Sequence, residues 1–183
     1  MQNVRADDIL KTMDNILIRR SFVNDIPSIE ELYLRVAEIE GGLARTVPEI
    51  TREHVEHFVS KSISDGIELV ASSHSAGRII GEVHCYRNGV ATFAHVLGDL
   101  TIAVDPEYQG KGIGKLLFTE LLNEVITKCP DILRIELIAR ESNERVLRFY
   151  ESLGFKREGR LEKRIRSVKG GFEDDIFMAW LRD

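Results

Sequence analysis

The spacing of hydrophobic positions changes several times along the chain, and each change predicts an element. At residues 16–22 apolar and charged residues alternate (Ile16, Ile18, then Arg19, Arg20 and Phe22), the pattern of a strand. Asp25 to Ser28 opens a helix: Pro27 suits the first helical turn, and Ile29, Leu32, Tyr33, Val36 and Ile39 recur at helical spacing until Gly41 and Gly42 stop them. After a loop containing Pro48, Thr51 precedes a second amphipathic helix marked by Val55, Phe58, Val59 and Ile63 and closed at Gly66. Three strands follow, at 68–72, 79–86 and about 95–104. The turn residues Ala76-Gly77 and Asn88-Gly89 separate them, as in an antiparallel meander.

Pro106 stops the third of these strands, and a glycine-rich stretch, 109–114, runs into a helix over 115–128 with Leu117, Phe118, Leu121, Leu122 and Val125 on one face. Pro130 ends that helix. Residues 134–139 form a short Ile/Leu strand, 143–153 a helix ended by Gly154, and 155–168 pairs with 172–180 about Gly170-Gly171. The order β-α-α-β-β-β-α-β-α-β-β predicts an α+β fold with a mixed, mostly antiparallel sheet. Residues 1–15 read as a polar arm and 16–183 as a single domain.

Composition narrows the classes. With 183 residues, 43% hydrophobic, 30% charged and only 4 Pro, the chain is neither collagen-like nor disordered, and it is long enough to build its own core. Its 25 basic and 30 acidic residues leave a net charge of -5, which argues against a general electrostatic grip on nucleic acid or anionic lipid. Cys85 and Cys129 form no CxxC and have no His pair at zinc spacing, so both read as buried small residues and no metal is expected. Neither a signal peptide nor a membrane span is visible, which makes the cytoplasm the expected setting.

The chemistry concentrates in Gln109-Gly110-Lys111-Gly112-Ile113-Gly114-Lys115, a strand-to-helix junction with three glycines at alternate positions. Such a loop can turn successive N–H groups toward one anion, and the helix that follows adds unpaired donors, so a phosphate or pyrophosphate ligand is expected. A nucleoside-triphosphate P-loop is excluded, because Gln109 replaces its first glycine and Leu116 follows Gly114-Lys115. The dinucleotide fingerprint fails as well, since the third glycine arrives one residue early.

The stretch 109–114 resembles the Gln/Arg-x-x-Gly-x-Gly/Ala signature of the GNAT N-acetyltransferases, with Val104-x-Pro106 in register. Downstream, Asn143, Tyr150, Gly154 and Phe155 are similar to that family's Asn-x6-Tyr-x3-Gly-Phe, about 30 residues on, as an intervening helix, strand and second helix require. The resemblance spans about residues 16 to 181 and implies a GNAT-like fold whose sheet splays at a cofactor cleft, between the strand ending at Val104 and the strand 134–139.

By that resemblance, acetyl-CoA is the acyl donor, with no metal. Its pyrophosphate would lie on Gln109, Gly110, Lys111, Gly112, Ile113, Gly114 and Lys115. Its pantetheine would pair with the strand edge at Ile102, Ala103 and Val104, where one N–H, of Ala103 or Val104, polarises the thioester carbonyl. Asn143 would hydrogen-bond the coenzyme or serve only as a helix N-cap. Tyr150 would protonate the departing thiolate; without the resemblance it is a core aromatic beside Val146 and Leu153.

The family pattern does not fix the base. Asp99 is the first choice, with Glu82, His84 and His95 as alternatives, each otherwise a solvent-facing strand residue. The basic run Lys156, Arg157, Arg160, Lys163, Arg164, Arg166 and Lys169 reads as a solvated hairpin face opposite Glu173, Asp174 and Asp175, or as a grip on a carboxylate or phosphate of the acceptor. Glu38, Glu40 and Arg45 lie in the loop expected to cover the acceptor. The expected reaction is transfer of acetyl to a primary amine of a small molecule such as an amino acid or polyamine. A protein N-terminus or lysine is the second acceptor, and a non-catalytic acyl-CoA-binding regulatory module the reading of another class. A homodimer is compatible with the sequence.

Overall fold

A computed structural model of the chain describes residues 9–13, 15–167 and 170–182, and of 9–13 the backbone only. Its strands are β1 (Ile9–Met13), β2 (Ile16–Arg20), β3 (Gly66–Ser73), β4 (Arg78–Tyr86), β5 (Val96–Val104), β6 (Arg134–Arg140), β7 (Lys156–Arg166) and β8 (Phe172–Leu181). The helices are α1 (Ile26–Ala37), α2 (Arg52–Asp65), α3 (Ile113–Lys128) and α4 (Glu144–Ser152). The order agrees with the periodicity from β2 onward. It departs in β1, which lies within the stretch read as a polar arm and pairs antiparallel with β2, from Met13 opposite Ile16 to Ile9 opposite Arg19. Contacts group the chain into two compact units: residues up to Tyr86 with Thr101–Lys128, and Arg87–Leu100 with Cys129 onward.

In the first unit, β1 to β4 form an antiparallel ladder, β2 pairing with β3 and β3 with β4. Helices α1 and α2 cover one side through Ile29, Leu32, Tyr33, Val36, Val55, Phe58 and Val59, packed with Val70, Ile79 and Ala103. Each large apolar side chain withdrawn from water there contributes about 1.5–3 kcal/mol. Thr51 caps α2 by accepting from the His54 N–H at 3.2 Å, and Pro27 sits in the first turn of α1.

Gly81 of β4 is the contact point for α3. A Cβ there would stand 2.9 Å from Leu117 Cδ1 and 3.0 Å from Ile113 Cγ2, so its absence lets the start of α3 approach the strand. Strand β4 is therefore covered by helices on both sides, and its residues 79–85 are all buried.

In the second unit, β5 begins parallel to β6 through Val96 opposite Arg134 and Leu97 opposite Ile135. Strand β6 then pairs antiparallel with β8, and β8 with β7. The β7–β8 register shifts between Leu161 and Ile165, where Lys163 adopts φ 54°. Helix α4 buries Leu147 and Tyr150 and gives way to Gly154 at φ 92°. Parallel and antiparallel pairs together make the sheet mixed, as expected for this α+β fold.

Two expectations need correction or restriction. Cys85 is buried, but Cys129 is only half-buried, because it lies in the turn after α3. Lys169 and Val168 lie outside the described residues. No helix among the described residues is long and apolar enough to cross a membrane.

Candidate active site

The glycine-rich junction follows β5 through a short 3-10 turn, Pro106–Tyr108. Gly110 and Gly112 adopt φ 75° and 86°, a backbone region that side chains with a Cβ disfavour, and Gly112 accepts the Leu116 N–H at 3.0 Å as the first helical bond. By helix geometry the amides of Ile113, Gly114 and Lys115 then have no carbonyl ahead of them to bond. Residues 109–112 are exposed, Lys115 is exposed beside them, and a Cβ at Gly112 would meet nothing within 4 Å. An open turn, free leading amides and two lysines fit a diphosphate.

What fixes this loop left no signal in the order of residues. Asp105, 1% exposed, accepts from Arg35 Nε at 2.9 Å, from the Glu107 N–H at 3.1 Å, and pairs with Arg78 Nη2 at 3.2 Å. Its own N–H donates to the Ile80 carbonyl at 2.9 Å. Gln109 Nε2 donates to the Val104 carbonyl at 3.1 Å, so its side chain ties the loop to the end of β5 while its backbone faces the turn. Of the strand-edge residues, Ala103 is buried in the core, and Ile102 and Val104 flank it half-buried.

The same unit holds a buried polar row that corrects the solvent-facing reading of β4. Glu82 is 0% exposed and His84 4% exposed, because α1 and α2 close over that side of the strand. They remain there by satisfying each other. Tyr33 donates from its hydroxyl to Glu82 Oε2 at 2.6 Å, and Glu82 Oε1 lies 2.9 Å from His84 Nδ1. Burial, reinforced by the Glu82 charge, pushes the Tyr33 phenol well up, so it remains a donor. Glu68, the Cα partner of His84 on β3, is buried with both carboxyl oxygens unpartnered, and burial, then the Glu82 charge, pushes it up to about 9.

The second unit holds the other expected residues. Tyr150 lies in α4, 7% exposed, its ring 5.9 Å from that of Phe155 and 5.5 Å from that of Phe149. Burial pushes its phenol up, so it is protonated throughout the neutral range. Asn143 caps α4: its Oδ1 accepts from the Val146 N–H at 3.2 Å, which leaves only its NH2 to donate elsewhere. Asp99 and His95 are exposed, and Asp99 has φ 50°, so β5 leaves extended geometry there.

Arg157 pairs with Glu151 at 2.8 Å, Arg160 with Asp174 at 2.7 Å and Arg164 with Asp175 at 3.0 Å. Much of the basic run is thus spent on neighbouring carboxylates. Glu38, Glu40 and Arg45 are exposed around the loop after α1. Among the described residues no group of three or more His, Cys, Asp or Glu could hold a metal ion.

Residues 64–157 match the family model described as the acetyltransferase (GNAT) domain, a stretch that includes the glycine-rich loop, Asn143 and Tyr150. The chain belongs to the GNAT acetyltransferase family. Among curated proteins it is similar to a [ribosomal protein bS18]-alanine N-acetyltransferase of Salmonella typhimurium, 37% identical over 78 residues, which are 43% of this chain and 51% of that protein. The chain thus spans about half the length of the curated relatives it matches.

Among solved structures, a GNAT-family acetyltransferase from Streptococcus pneumoniae matches with a TM-score of 0.81 and 25% identity, over 91% of this chain and 99% of that one. The yncA protein of Salmonella typhimurium, described as a putative acetyltransferase with its cofactor acetyl-CoA, matches with a TM-score of 0.78 at 19% identity, over 93% and 95%. The GNAT fold expected from the paired signatures is the fold observed.

Proposed function

We propose that this GNAT chain transfers acetyl from acetyl-CoA to a primary amine. The observation that carries the reading is the turn at Gly110 and Gly112 delivering the free leading amides of α3 to an open surface, the arrangement a diphosphate requires. The exposed part of the β5 edge at Ile102 and Val104 would receive the pantetheine, and an N–H of Ala103 or Val104 would meet the charge that develops on the thioester oxygen. Tyr150, kept protonated by burial, would donate its proton to the departing thiolate. Asn143 would offer its NH2 to the coenzyme.

Between the acceptors, a protein N-terminal amine gains support from the relative's name as an alanine N-acetyltransferase of a ribosomal protein. Free amino acids and polyamines form the second acceptor class. Coenzyme A release should be measured with peptides beginning in alanine, with free amino acids and with spermidine. Turnover with one of them supports the reading, and tight acetyl-CoA binding without any turnover supports a regulatory module instead. Tyr150→Phe should lower kcat about ten- to thousandfold with nearly unchanged acetyl-CoA affinity. An unaltered rate would return Tyr150 to a packing role.

A further inference from the structure

The buried row on β4 has a directionality that packing alone does not require. Glu82 has two oxygens and two partners: Oε2 accepts the Tyr33 hydroxyl proton at 2.6 Å, and Oε1 lies 2.9 Å from His84 Nδ1. A carboxylate only accepts, so the proton between Glu82 and His84 belongs to Nδ1, and the lone pair of the neutral ring belongs to Nε2. The Tyr33 hydroxyl, 3.4 Å from Nδ1, is already committed as a donor to Glu82. His84 Nε2 makes no hydrogen bond among the described residues. The ring is held flat by Phe58, stacked on it at 4.2 Å and 13°, and lies nearly parallel to the Tyr86 ring at 6.1 Å.

This ring also lies beside the strand edge assigned above to the thioester. From the bond between the Asp105 N–H and the Ile80 carbonyl, antiparallel counting along β4 and the second half of β5 sets Ala103 opposite Glu82 and Thr101 opposite His84. Ala103 packs in the same core cluster as Tyr33 and Phe58, which agrees with that register. Resting on the acetyltransferase reading, we infer that His84 is the general base for the acceptor amine, with Glu82 and Tyr33 as its positioning residues.

Nε2 takes one proton from the acceptor ammonium and passes it to water. The freed amine forms the C–N bond at the thioester carbonyl, the C–S bond breaks, Tyr150 gives its proton to the leaving sulfur, and the second amine proton restores the Tyr150 phenol. The titratable groups facing His84 are Tyr33 of α1, His54 of α2, Glu68 of β3, and Glu82 and Tyr86 of β4. Glu68 is held protonated through the neutral range, so it brings no negative charge to the ring.

Two measurements on the full chain test this. Nitrogen-15 NMR of the histidine side chains, with His84 assigned by its loss in His84→Gln, should show the neutral ring protonated at Nδ1; a proton on Nε2 overturns the proposal. In the coenzyme A release assay, His84→Gln should lower kcat/KM by about 10²–10⁴-fold with acetyl-CoA affinity retained, and added imidazole should restore activity to His84→Ala. Glu82→Gln should produce a smaller loss and shift the tautomer, as a residue that positions the ring requires.

A His84→Gln enzyme within about threefold of the wild type overturns the base assignment alone. A wild-type protein that binds acetyl-CoA and acetylates none of the peptides, amino acids or spermidine overturns the acetyltransferase reading itself. Should the substituted proteins fail to fold, the tautomer of the wild-type ring, assigned by through-bond correlation to the His84 backbone, still decides.

Discussion

A carboxyl group without a hydrogen-bond partner, as at Glu68, is tolerated in a sheet only in its neutral form. Its folded proton affinity, raised to about 9, exceeds that of the same side chain in the unfolded chain. The folded state therefore holds the extra proton between roughly pH 4.5 and 9. The stability this confers is complete below about pH 4.5 and is lost as pH rises through that window. Glu68→Gln should leave stability unchanged at pH 4 and raise it by on the order of a few kcal/mol at pH 8, measured by urea unfolding at both pH values. Equal effects at the two pH values would refute this account. Nothing in Glu68-Leu69-Val70 or Gly81-Glu82-Val83-His84 foretells the burial, because an alternating strand shows which residues share a face and not whether helices cover it. The polar residues of β4 became readable only once α1 and α2 were placed over them.

At the scale of elements, the loop before α3 shows what a motif discloses and what it omits. The glycines were legible because the backbone angles at Gly110 and Gly112 are ones that few other residues adopt. The support was not, because Arg35, Arg78 and Asp105 come from α1, β4 and the end of β5 and meet only after folding. Asp105→Ala would leave two guanidinium groups facing a vacant site and release the Glu107 N–H. A loss on the order of 2 kcal/mol is expected in denaturant unfolding, with weaker acetyl-CoA binding by calorimetry. Unchanged binding would show that the loop holds its shape without this anchor. Strand β1 escaped detection for a related reason: its five residues carry no convincing period of their own and become a strand through pairing with β2.

For the whole molecule, ligand binding and folding are linked: whatever binds the folded chain alone raises its stability by an amount set by concentration over Kd. At a hundredfold excess over Kd the gain is about 2.7 kcal/mol, and for a chain of this length each kcal/mol moves Tm by about 2–4 °C, so acetyl-CoA should raise Tm by about 5–10 °C. Gly112→Asp places a Cβ at φ 86° and a negative charge beside the leading amides of α3. It should therefore abolish the acetyl-CoA shift, even though a Cβ there meets no neighbour within 4 Å and the cost to the fold is confined to the strained backbone angle. Tyr150→Phe and His84→Gln should keep the shift while losing turnover, since both act on protons and not on the diphosphate. Differential scanning calorimetry of the four proteins, with and without acetyl-CoA, thus separates binding from chemistry. A full shift in Gly112→Asp would remove the diphosphate from the loop, and a lost shift in His84→Gln would make that ring part of the binding surface instead of the proton path.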